Sequence, residues 1–69
     1  MIAKKEEHTI GKYKVTLLYN EKGKILGALI DGPKISKPIY IAHQEEIIIK
    51  LPKQVIKFLN KQGFKVKRP

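Results

Sequence analysis

Residues 46–68 read EIIIKLPKQVIKFLNKQGFKVKR, and the fold class turns on this stretch. Glu46 to Leu51 is an apolar run of strand length. Pro52 follows, a residue favoured in the first turn of a helix. Val55, Ile56 and Leu59, with part of Phe58, then recur at helical spacing and form one apolar stripe. The periodicity predicts a helix to Gln62, with Gly63 as its terminator. Phe64 to Arg68 alternates again and reads as a last strand. Strand, helix and strand in this order predict a right-handed crossover, with the final strand parallel to the one before the helix.

Upstream, Tyr13, Val15, Leu17 and Tyr19 alternate with Lys12, Lys14 and Thr16, the period of a half-buried strand. The polar loop Asn20-Glu21-Lys22-Gly23 suits a hairpin. The return strand, Lys24 to Ile30, is apolar on both faces. With Asn20 opposite Lys24, Ile25 and Leu29 share a face with Tyr19 and Val15. Leu18, Leu26, Ala28 and Ile30 are then left together on the other face. Asp31 to Pro38 is punctuated by two prolines and a glycine and reads as a loop. A strand at Ile39 to Ala42 and a turn at His43-Gln44-Glu45 lead back to Glu46. The expectation is one α+β domain over residues 1–69. It has a small curved, mainly antiparallel sheet in the order β-β-β-β-α-β, with one helix packed on it. Its parts are an N-terminal extension (1–10), a β-hairpin (11–31), a Pro/Gly/Lys loop (31–38), a second strand pair (39–51) and a basic helix plus last strand (52–68).

Charge narrows the functional classes. Lysine and arginine total 15 against 6 acids, a net charge of +9, and only Arg68 is arginine. The pI is about 9.9. Such a charge repels itself in a small body and favours a polyanionic partner. Heat adaptation also enriches lysine, but it raises glutamate in step, and glutamate is sparse here. The excess is local. Lys53, Lys57, Lys61, Lys65, Lys67 and Arg68 face no acid between residues 52 and 69, which places +6 of the charge there.

On a helix, Lys53, Lys57 and Lys61 fall in one row about 12 Å long, opposite Val55 and Leu59. Lys65 and Lys67 share a face of the last strand, while Phe64 and Val66 point to the core. Flexible ammonium groups on a rigid base meet phosphates without strict register. Bidentate reading of base edges is chiefly arginine chemistry, so this surface predicts backbone and shape recognition rather than sequence readout. Lys34 and Lys37, in a proline-stiffened loop, make a second candidate contact. Lys12 and Lys14 form a third strip, weakened by Glu21 and Asp31. The aromatic residues are read as core rather than as base-stacking platforms.

Other chemistries lack their residues. There is no cysteine, hence no disulfide framework and no thiolate site. His8 and His43 have no ligand spacing, so no metal is expected. Ser36 is the only serine and has no base candidate beside it. Phosphate-loop and dinucleotide fingerprints are absent. Glu45 and Glu46 point to opposite faces of a strand. Neither a cofactor, a small-molecule substrate nor an enzymatic activity is expected. The apolar stretches Ile47–Ile49 and Ile25–Ile30 are too short for a membrane span, so a soluble, cytoplasmic protein is expected.

In size and in lysine and isoleucine content the whole chain resembles small proteins of heat-loving archaea. Two groups there share these properties: accessory ribosomal proteins and architectural chromatin proteins. The chromatin type implies a tryptophan and an exposed Val/Met wedge on the hairpin face, and this hairpin has neither. The resemblance therefore implies a structural RNA-binding protein. Ribosomal RNA would be its partner, neighbouring ribosomal proteins could touch it, and Lys53, Lys57, Lys61, Lys65, Lys67 and Arg68 would provide the main contacts. The alternatives are a chromatin-type DNA binder and, in another class, a protein-interaction module or homodimer. The last would use the Leu18/Leu26/Ala28/Ile30 face.

Overall fold

The computed structural model describes residues 2–69. The chain is α+β, as its periodicities predict. Strands β1 (Lys4–Ile10), β2 (Tyr13–Tyr19), β3 (Ile25–Asp31) and β4 (Ile39–Ala42) form an antiparallel sheet in sequence order. A second, two-stranded parallel sheet joins β5 (Glu46–Ile48) to β6 (Lys65–Lys67), and helix α1 (Lys53–Lys61) connects them. The expected parallel relation of the last strand is present.

Four expectations are corrected. The segment expected as an N-terminal extension is a full strand; position 1 lies outside the described residues. β1 pairs with β2 from Lys4↔Tyr19 to Ile10↔Tyr13, closed by a two-residue loop. Gly11 there takes the positive φ (61°) that such loops need at their first position. Pairing rather than apolar content makes this strand. Only Glu6, His8 and Ile10 are even half-buried, all on the side that faces the core.

The second correction concerns side-chain parity. Asn20 and Lys24 do lie opposite each other, the Asn20 N–H donating to the Lys24 carbonyl at 2.9 Å. A register shift then falls between Leu18 and Tyr19, which pair with Gly27 and Ile25 and skip Leu26. The extra residue flips every side chain beyond it. Val15 therefore pairs with Ile30 and Leu17 with Ala28, all four fully buried. Leu29 pairs with Thr16 on the opposite face. Leu18, Leu26, Ala28 and Ile30 do not form a leftover face, and the dimer surface expected there is not built.

Third, the strands lie in two sheets, not one. Fourth, the expected strand pair at 39–51 is split. β4 pairs with β3, β5 pairs with β6, and the turn at 43–45 carries the chain between the sheets. β5 is short because its partner is short. Beyond Ile48 only the Ile49 N–H still reaches the Lys67 carbonyl.

One core joins all the elements. Val55, Ile56 and Leu59 of the helix, with Phe64 and Val66, pack with Val15, Leu17, Ala28, Ile30 and Ile41 of the large sheet. The helix ends in a Schellman motif. The Phe64 N–H bonds to the Leu59 carbonyl and the Gly63 N–H to that of Asn60, both at 3.0 Å, with Gly63 at φ 90°. Leu59 and Phe64, the apolar partners of that motif, are both buried.

Candidate nucleic-acid interface

Helical period alone separates cations from core on α1. Lys53, Lys57 and Lys61 are exposed in one row, opposite buried Val55 and Leu59. Phe58, at the margin of the stripe, meets the His8 ring at a centroid distance of 4.9 Å, which ties the helix to β1. No acidic residue stands in the first turn, and Lys61 lies in the last, where a cation complements the helix dipole.

Asn60, one turn on from Lys57, fixes the helix against β6. Its carboxamide donates to the Val66 carbonyl and accepts from the Val66 N–H, both at 3.1 Å. These backbone groups point away from β5 and would otherwise be left on a free strand edge. The side chain thus substitutes for a further strand and sets the lysine row beside β6. On β6, Val66 is buried while Lys65 and Lys67 are exposed. Their register partners on β5 are Glu46 and Ile48. Ile48 is 71% exposed and places an apolar side chain on the strand beside Lys67. Glu46 is the one acid on this face, and among the described residues no ion pair links it to Lys65.

The ion pairs lie elsewhere. Lys4 meets Glu6 at 3.7 Å, Lys14 meets Glu7 at 3.5 Å, and the His8 Nε2–H donates to Glu6 at 2.8 Å. All three belong to the β1–β2 hairpin. The hydrogen bond from His8 holds the Glu6 carboxyl below the usual carboxylate range; Lys4 adds to this, and partial burial opposes it. Burial, then the Glu6 charge, pushes the Tyr19 hydroxyl up. Among the described residues, none of Lys53, Lys57, Lys61, Lys65, Lys67, Arg68, Lys34 or Lys37 is in an ion pair.

The remaining candidates separate. Arg68 comes to the same groove as Lys34, together with Lys50, which the sequence reading left out. Lys50 sits just before Leu51-Pro52, and nothing local shows that the loop 31–38 packs there. Lys37 is exposed on that loop, outside the groove. Lys14 is compensated by Glu7, a partner hidden in the unrecognised strand. Lys12 borders a shallow depression with Asp31.

Both histidines have structural partners. The His43 Nε2–H donates to the Gln62 carbonyl at 3.0 Å, and its ring packs edge-on to Phe64 at 4.7 Å. Among the described residues no three His, Asp or Glu side chains converge. No helix is long and apolar enough to cross a membrane.

Fold and surface together define a small α+β domain whose ion pairs, among the described residues, all lie in one hairpin, while the helix and the last strand carry cations with no acid in their own segment. No protein family, curated protein or solved structure matches this chain.

Proposed function

We propose that this protein is a structural RNA-binding protein of the accessory ribosomal kind, gripping the RNA sugar-phosphate backbone without reading base sequence. One observation carries the reading: residues 53–68 hold six cations and no acid, and among the described residues none of the six has an ion-pair partner. Like charges at i, i+4 along a helix destabilise it by a few tenths of a kcal/mol per pair. An RNA backbone beside the row would remove that repulsion. Lysine in place of arginine suits phosphate contact and not base-edge forks.

Filter binding to duplex and single-stranded RNA across a salt series tests this. Six phosphate contacts predict a fall in log affinity with log salt of about −5 on a duplex of B-DNA charge density and about −4 on single strands. Binding that ignores salt would remove the electrostatic mechanism. Co-sedimentation with ribosomal particles, reversed by a high-salt wash, tests the ribosomal assignment.

A further inference from the structure

Where the loop 31–38 meets the junction of β5 and α1, with Pro52 at the helix start in its wall, lies a groove of 510 Å³. Lys34, Lys50 and Arg68 reach it from three separate parts of the chain, and no carboxylate lines it. Its apolar lining includes Tyr13, Ile35 and Ile39, each half-buried and packed on the core. The volume falls in the range of small-molecule sites, about 300–1,000 Å³, and exceeds what a lone phosphate fills.

Lys34 holds an unusual place. The Ile35 N–H donates to the Gly32 carbonyl at 3.2 Å and closes a turn with Pro33 in its second position. Lys34, in the third, has φ 65°, the only positive φ outside glycine among the described residues. Turns of this pattern take glycine or asparagine there, because a larger side chain is strained. A lysine that strains the backbone to reach a cationic groove is explained if its ammonium has a ligand.

We infer that this groove takes one unpaired nucleotide of the bound RNA. Its phosphate meets Lys34, Lys50 and the guanidinium fork of Arg68, and its base rests on Tyr13, Ile35 and Ile39. A stacked, paired base cannot enter, so the groove responds to a bulge or loop while the lysine row grips the adjoining backbone. The inference rests on the RNA reading for the identity of the strand, and adds to it a preference for unpaired positions.

Two hairpin RNAs, identical but for a single bulged adenosine, are compared with the full-length protein, and adenosine monophosphate is titrated separately by NMR. The bulged RNA is expected to bind roughly fivefold tighter or better, the worth of one stacked base. The mononucleotide is expected to move the Tyr13, Ile35 and Ile39 signals. Lys34→Gly should abolish the bulge preference, weaken the paired RNA by a much smaller factor and raise the melting temperature by about 4 °C as the strain is relieved. Arg68→Ala, at an exposed position outside β6, should weaken the bulge preference without a change in melting. Equal, salt-sensitive binding of both RNAs would overturn the groove and leave the backbone reading standing. Mononucleotide shifts at the groove without binding of either RNA would overturn the RNA reading and, with it, the bulged nucleotide as the groove's occupant. Unmoved groove signals with neither RNA bound would overturn both.

Discussion

The β1–β2 hairpin and the α1–β6 unit are both rich in lysine, yet only the hairpin carries acids beside its lysines. In the hairpin, Lys4 and Lys14 lie against Glu6 and Glu7, and Lys4 also lies 5.4 Å from the centre of the Tyr19 ring. In the α1–β6 unit, Lys53, Lys57, Lys61, Lys65 and Lys67 have no ion pair among the described residues and stand on a scaffold pinned by Asn60 and the Schellman motif. Solubility needs only exposed charge, which both regions provide. A row of cations with no acid in its own segment goes beyond that need, and it is the feature on which the proposed RNA contact rests.

Charge reversal separates the two regions most strongly. Lys57→Glu with Lys61→Glu should lower RNA affinity about a hundredfold at low salt and flatten the salt slope by about two. Lys4→Glu with Lys14→Glu should have a far smaller effect. A loss confined to particular RNA sequences would contradict backbone gripping.

Next in size is the pin itself. Asn60→Ala leaves the Val66 N–H and carbonyl without their partner and should cost about 1–3 kcal/mol in denaturant unfolding. Amide exchange should quicken at β6 and stay unchanged in β1. Gly63→Ala should cost about 1 kcal/mol, because a methyl group at φ 90° is strained and would sit 3.0 Å from His43 Nε2.

The smallest effect belongs to the hairpin. The Glu6 carboxyl is held below its ordinary value of 4.5 in the folded chain. Its contribution is therefore full above that pH and is lost as pH falls through the lowered value. Glu6→Gln should flatten this part of the acid-unfolding profile and leave stability at pH 7 little changed. The side chain is only half-buried and solvent screens it, so the difference should be slight.

Much of this molecule was legible in local pattern. Tyr13–Tyr19 and Lys53–Lys61 carry clean periods of two and 3.6, and Gly63 marks the helix end. β1 escaped because Lys4-Lys5-Glu6-Glu7-His8-Thr9 has no apolar alternation; a backbone ladder and the Gly11 turn hold it in place. The parity of β3 escaped because a bulge at Leu26 is a property of two strands together. The separation of β4 from β5 depends on which partner each finds across the chain. The candidate site divides along the same line. The helix row follows from spacing alone, whereas the meeting of Lys34, Lys50 and Arg68 depends on tertiary packing. The pairing of Lys14 with Glu7 was not legible either, because Glu7 lies on the strand that local pattern did not reveal.

Backbone amide shifts measured while a short duplex RNA is added test the central claim most directly. The account predicts that amides of residues 53–68 move together at low salt and return at high salt, while those of Lys4–Ile10 stay still. Movement centred on β1, or spread evenly over the whole surface, would contradict it.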